Sequence, residues 1–243
     1  MNILEICFCH LLKLVSCHRS ITRERERVIK LVQYVFGYVT LQIKDIGYFI
    51  SGLCGKSKED FQDGNAKFIT YKNIFNNVAI NIEDFDMVKI NDNEQQNSLE
   101  YGDIVFTGSS ETPDECAMSS VFTSKTDEMF YLNSFCFALR PFSNRFLNPE
   151  YSKYLFRCNN VRKNLSRTAN GVTRFNVSKK LLEKVYVDIP SLDVQNKIVL
   201  TLDNFYSLSN SISDGLPGEI EARKKQYEYY RDKLLTFKEK KSA

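Results

Sequence analysis

Residues 215–237 read GLPGEIEARKKQYEYYRDKLLTF. Leu216, Arg223, Tyr230 and Phe237 recur every seventh residue, and Ile220, Tyr227 and Leu234 fall four places later in each repeat, which is the a/d spacing of a coiled-coil seam. Glu219, Glu221, Lys224, Lys225, Glu228, Arg231, Asp232 and Lys233 fill the outer positions and are expected to keep those faces in water. Such a helix either packs on its own domain or meets a partner helix. The tyrosines favour an interface, because each joins a large apolar ring to a hydroxyl that tolerates partial wetting.

Working back from this helix, Ser191 is a suitable N-cap for an earlier one. Its apolar stripe is Val194, Ile198, Leu202, Phe205 and Ile212. The run Gly215-Leu-Pro-Gly218 interrupts the pattern, and Pro217 is tolerable only in a first helical turn. Residues 191–243 are therefore expected to form a helical region of two helices, the second carrying the seam. Residues 39–190 change character to short apolar runs between turn clusters. Strands are expected over 41–46, 66–71, 104–106, 131–139 and 181–189, with a helix over 150–161 opened by Asn148-Pro149 and a turn at Asn170-Gly171. Residues 1–38 stand apart as a helical segment, whose 21–36 helix ends at Gly37. The fold class is α+β, a mixed α/β globular domain with many short strands, followed by long C-terminal coiled-coil helices.

A chain of 243 residues with 43% hydrophobic and 26% charged residues is long enough for a proper core and reads as soluble and globular. A net charge of +3 permits a nucleic-acid partner without demanding one. Seven cysteines with no regular framework and no secretory signal point to reduced thiols in the cytoplasm. The apolar run 3–15 carries Glu5, His10 and Lys13 and is too short to span a bilayer, so no membrane partner is expected. Cys7, Cys9, His10, Cys17 and His18 lack the paired spacing of a zinc site, and no metal is expected. His10 and His18 are the sole histidines, which excludes a histidine-dependent triad from the 39–190 domain. Gly55-Lys56-Ser57 lacks the leading glycine of a phosphate loop, since Ile50 stands there. No catalytic constellation emerges.

Three loops are better suited to nucleic acid. The first, 51–73, offers Lys56, Ser57, Lys67, Tyr71 and Asn73. The second, 107–112, offers Thr107, Ser109 and Ser110 at a strand end, where hydroxyls and backbone N–H groups suit phosphate oxygens. The third, 157–180, holds Arg157, Arg162, Lys163, Arg167, Arg174, Lys179 and Lys180 around Asn170, Gly171 and Thr173. Arg and Asn read base edges bidentately, whereas Lys neutralises phosphate as a point charge.

The blocks 43–77 (IKDIGYFISGLCGKSKEDFQDGNAKFITYKNIFNN), 102–115 (GDIVFTGSSETPDE), 131–139 (YLNSFCFAL) and 189–202, followed by 215–237, resemble the specificity subunit of type I restriction-modification systems. Pro190, Gln195, Ile198 and Leu202 belong to the most similar block. The resemblance implies a target recognition domain that reads one half of a bipartite sequence in double-stranded DNA. Its helices would space it from a second such domain and pair in a homodimer or with another specificity half-subunit. It further implies methyltransferase subunits that hold S-adenosylmethionine, a restriction subunit as an additional partner, and neither cofactor nor chemistry in this chain. One recognition domain and one helical region make the chain similar to a half-subunit. About 23 helical residues span about 35 Å, close to one turn of B-DNA, so the helix is expected to act as a ruler. Two other readings stay open: a protein-interaction module that dimerises through its helices, and a truncated fragment that assembles nothing.

Overall fold

Helix α1 (Arg23–Phe36) stops where the sequence requires, at Gly37, whose φ of +86° lies in the left-handed region. The computed structural model describes residues 23–211 and 217–236. After α1 come β1 (Tyr38–Gln42), the single turn α2 (Ile43–Ile46) and β2 (Gly47–Ser51), then β3 (Ala66–Ile69), α3 (Tyr71–Asn76) and β4 (Asp86–Val88). The chain continues through β5 (Ile104–Thr107), β6 (Ser109–Ser110), β7 (Ser119–Val121), β8 (Phe130–Leu132) and β9 (Cys136–Pro141) to α4 (Pro149–Leu155) and α5 (Asn159–Ser166). A hairpin of β10 (Ala169–Asn170) and β11 (Phe175–Val177), the turn α6 (Lys179–Leu182) and β12 (Tyr186–Pro190) lead into α7 (Leu192–Ser211) and α8 (Pro217–Leu234).

The organising sheet is antiparallel, in the order β2-β9-β5-β7. Successive side chains of a strand point to opposite faces, and both faces of this sheet are covered. Ile104, Phe106, Phe137 and Leu139 enter the larger core with α4, α5 and α7, while Val105, Cys136 and Ala138 enter a second core with Ile69, Ile74 and Phe130. Burial pushes the Cys136 thiol up to about 12. A smaller sheet, β4-β3-β8, lies over the second core, and a third sheet has the order β10-β11-β6. The pair β1-β12 closes the chain on itself, with Tyr38 opposite Pro190. Ile29 and Val32 of α1 share the larger core with β1 and β12, so the helix before residue 38 packs on the domain that follows it.

Several expected elements differ. Residues 43–46 form a helical turn, because Ile43 and Ile46 both point into the larger core at a spacing suited to a helix. The aromatic run 131–139 is two strands in different sheets, broken where the Asn133 side chain accepts from the Phe135 N–H at 2.9 Å. The helix over 150–161 is likewise two, α4 and α5, because Cys158 adopts an extended conformation between them. Residues 181–189 begin as the end of α6. In α7 the buried stripe is Gln195, Ile198, Val199 and Leu202, with Val194 turned outward.

Two buried polar side chains tie these parts together. The Arg157 guanidinium donates to the carbonyls of Ile74, Phe75 and Asn77 at 2.8–3.0 Å and, through Nε, to that of Ser119. It thereby caps the C-terminal end of α3, where carbonyls lack helical partners. Burial pulls its pKa down to about 10, so it stays protonated at neutral pH. Gln195, fully buried, accepts from the Asn148 N–H at 2.8 Å and donates to the carbonyls of Phe146 and Pro190 at 2.8 and 2.7 Å. The same Pro190 carbonyl accepts from Gln33 of α1 at 2.9 Å.

The seam of α8 finds its partner within the chain. Tyr230 stacks on Phe205 with ring centroids 5.2 Å apart, and Tyr227 lies 6.4 Å from Tyr206. Advancing along α8 moves back along α7, so the two helices form an antiparallel hairpin. Tyr227 and Leu234 pack against the larger core, and Leu235 is buried in it. Asp232 accepts from the Asn159 N–H at 3.1 Å. The interface expected between chains is thus, for Tyr227, Tyr230 and Leu234, occupied by their own chain. Leu216 and Phe237 lie outside the described residues, as does the side chain of Ile220. Arg223 is partly exposed.

Candidate nucleic-acid interface

The first loop scatters. Lys56, with a side chain only 4% exposed, donates to Glu94 and to the Lys89 carbonyl at 2.5 and 2.6 Å. Ser57 is engaged with the Asp60 carboxylate, and Lys67 pairs with Glu128 at 2.8 Å beside the Phe85 and Phe130 rings. Asn73 is fully buried and holds the carbonyls of Asn81 and Asp84. Thr107 is buried as well, its hydroxyl accepting from the Met118 N–H at 2.9 Å. Lys56, Asn73 and Thr107 stabilise loops from within, while Ser57 and Lys67 remain accessible but are engaged by carboxylates. The sequence shows their residue types but not the carboxylates and carbonyls that meet them.

The Lys56–Glu94 contact carries a titration prediction. Hydrogen bonds from Lys56 and then Gln96 hold the Glu94 carboxyl below the usual glutamate range. A group depressed in the folded state stabilises above its unfolded pKa of about 4.3 and loses that contribution as pH falls through its folded value. Carbon-detected NMR titration should give Glu94 a midpoint below that of an ordinary glutamate. Lys56→Met should raise it, and an unmoved midpoint would contradict the contact.

The second and third loops are brought together. β11 pairs antiparallel with β6, setting Asn176 opposite Ser109 and Phe175 opposite Ser110. The β10-β11 hairpin turns at Gly171, whose φ is +150° and where a Cβ would lie 2.0 Å from the Arg174 carbonyl oxygen. This presents Asn170, Val172, Thr173 and Arg174 outward, Val172 being 91% exposed. Tyr71 joins them from α3 by donating to the Ser109 carbonyl at 2.9 Å. Ser110 donates to Glu115 at 3.0 Å, and Arg174 donates to the Ser109 hydroxyl at 3.1 Å. Arg167 is exposed at the end of α5 and Lys179 lies 5.0 Å from the Phe137 ring.

Two of the basic residues expected in this patch are absent from its surface. Arg157 is the α3 clamp, and Arg162 donates to the carbonyls of Asp114, Cys116 and Ala117, its pKa lowered chiefly by burial. Sequence reasoning missed Phe135. It stands 58% exposed on the turn between β8 and β9, with its ring 5.4 Å from the Arg174 guanidinium. The available signal was Asn133-Ser134, turn-forming residues inside an otherwise strand-like run.

Among the described residues no group of acidic, cysteine or histidine side chains is placed to hold a metal, and no helix is long and apolar enough to cross a membrane. Cys7, Cys9, His10, Cys17 and His18 lie outside them.

Comparison with known proteins follows the same lines. The family model described as the type I restriction modification DNA specificity domain matches residues 37–222. The chain is 37% identical over 106 residues to the Escherichia coli EcoR124I/EcoR124II specificity subunit, covering 44% of this chain and 26% of that one. It is 43% identical over 86 residues to a putative type I specificity subunit of Haemophilus influenzae, covering 35% and 22%. The matches thus span about a quarter of these relatives. Among solved structures, the HsdS subunit of Thermoanaerobacter tengcongensis superposes with a TM-score of 0.50 at 17% identity, over 96% of this chain and 55% of that one. The Mycoplasma genitalium S subunit gives 0.50 at 14% identity over 74% and 41%. These two share the fold. With the family match spanning most of the 243 residues, this chain belongs to the type I restriction-modification DNA specificity domain family.

Proposed function

We propose that the chain reads one half of a two-part DNA sequence and scaffolds methyltransferase subunits, which hold S-adenosylmethionine, while performing no chemistry itself. The observation that carries this reading is the convergence around one small sheet of Tyr71, Ser109, Ser110 and the Asn170–Arg174 turn, drawn from three distant stretches of sequence. Arg167, Lys163, Lys179 and Lys180 are exposed in the same segment and supply positive charge for phosphates. The other half-site falls to a second copy or another specificity half-subunit, and a restriction subunit joins the assembly in the cytoplasm.

A second recognition domain docks on the α7-α8 hairpin, whose inner face is already filled. Among the described residues the hairpin offers the exposed side chains of Val194, Leu200, Tyr206, Leu208 and Tyr229. The ruler is then the hairpin as a unit. A heptad inserted in α8 alone would lift Asp232 and Leu235 from their seats, so a longer gap requires matched insertions in both helices.

Co-expression with a type I methyltransferase subunit, followed by co-purification and methylation-site sequencing, should yield a gapped motif. Failure to recruit any methyltransferase would overturn the scaffold role. DNA affinity of the full chain should fall linearly with salt on logarithmic axes, with a slope of about −0.9 per phosphate neutralised. Salt-insensitive binding would favour the protein-interaction reading.

A further inference from the structure

Three arginines of the domain have their donors spent on fixed partners, whereas Arg174 is tethered by one contact and keeps the rest. Arg140 is used up on Glu100, Asp103 and the Ser98 carbonyl, and Arg157 and Arg162 on backbone carbonyls. Arg174 is exposed, donates through one Nη to Ser109, and among the ion pairs of the described residues has no carboxylate. A guanidinium has five N–H donors in a planar fork, so most of its edge faces outward.

Its plane is constrained from two sides. The Phe135 ring lies 5.4 Å from the guanidinium carbon, within cation–π range. Phe135 is itself held at both ends of its peptide unit: its N–H donates to Asn133 at 2.9 Å, and its carbonyl accepts from the Gly108 N–H at 2.8 Å. Gly108 can approach this closely only without a side chain, since a Cβ there would lie 2.6 Å from the Phe135 carbonyl oxygen. Ser109, nearly buried, is fixed in turn by β-pairing with Asn176 and by Tyr71. An arginine whose rotamers are restricted before binding loses less freedom when it docks. Guanine is the base that meets a planar fork with two acceptors, O6 and N7, on its major-groove edge.

We propose that Arg174 reads a guanine of the target half-site through O6 and N7, and that Phe135 is the positioning residue that sets the guanidinium plane. This rests on the DNA-reading function proposed above. The Gly171 turn carries Arg174 at its far end, so the hairpin tip enters the major groove, while Lys179 and Arg167 remain available to the phosphates.

The test uses the full chain and a randomised duplex library, with the bound fraction sequenced and affinities measured at fixed salt. The wild type is expected to select a word with an obligatory guanine. Replacing that guanine by 7-deazaguanine removes N7 and should weaken the wild type several-fold, while leaving R174A unchanged. R174A should lower discrimination at that position by roughly 5- to 100-fold and leave the other positions intact. R174K should not restore it, because an ammonium lacks the fork. F135A should lower discrimination at the same position while keeping the wild-type salt slope and preferences elsewhere. A general loss of folding in F135A would depress every position together, and F135L, which keeps apolar bulk without the ring face, then decides. Discrimination retained in F135L would overturn the positioning role. A selected word indifferent to R174A, or equally sensitive to 7-deazaguanine in R174A, would overturn the base assignment alone. Selection of no word at all would overturn the DNA-reading function with it.

Discussion

Replacing Arg157 with alanine is expected to cost about 4 kcal/mol of folding stability, from unpairing buried acceptors at about 1–3 kcal/mol each with partial relief by water. The guanidinium serves four carbonyls on α3, the segment after it, and β7. Losing it exposes the C-terminal end of α3 to an apolar surround and leaves a cavity between the two cores. Arg157→Lys should recover only part of the loss, because one ammonium keeps the charge but cannot span acceptors arranged for a fork. Urea unfolding with an unchanged slope would measure the difference as a shifted midpoint. A cost below about 1 kcal/mol would show that the loops reseal without the clamp.

The second large effect is expected at Gln195. Gln195→Ala removes two donors and one acceptor from groups buried where α7 leaves the domain, and a cost of about 3–5 kcal/mol follows. Gln195→Glu preserves shape and the bond from Asn148, yet loses both donations and buries a charge. It should therefore be no more stable than the alanine variant. A glutamate variant as stable as wild type would contradict the assignment of the amide nitrogen to the Phe146 and Pro190 carbonyls. Lys153 and Tyr154 of α4 reach Asp203 one face further along α7, so the variants should loosen the first turns of α7 more than its middle. Amide exchange along 192–203 would report that gradient.

Much of the fold was legible because its signals are local. Gly37 ended α1, Asn148-Pro149 opened α4, and Asn170-Gly171 turned the hairpin, each through backbone preferences that need no tertiary partner. The breaks at Asn133 and Cys158 were missed for the opposite reason. Asn133-Ser134 was a weak turn signal inside a strand-like run and nothing local marks Cys158 as a helix end, so the division of those runs between different sheets or helices reveals the boundary. The candidate surface was half legible. Hairpin residues such as Asn170 and Arg174 have nowhere to go but outward, whereas Lys56, Asn73 and Thr107 found partners more than five residues away in sequence. Residue type suggests a donor, and only the fold shows whether it is spent.

The partner of the α8 seam was the most consequential question of this kind. A heptad pattern states that a helix face is covered without stating by whom. Phe205 and Tyr206 answer from the preceding helix, because a short connection makes the antiparallel neighbour the nearest available surface.

All three hydrogen bonds of Gln195 end on main-chain atoms of Phe146, Asn148 and Pro190. Every residue type presents the same carbonyl and all but proline the same N–H, so substitutions along the candidate interface leave this joint untouched. On the proposed reading, base preference would change through mutation of the hairpin and the Phe135 turn while the direction of the arm stays fixed.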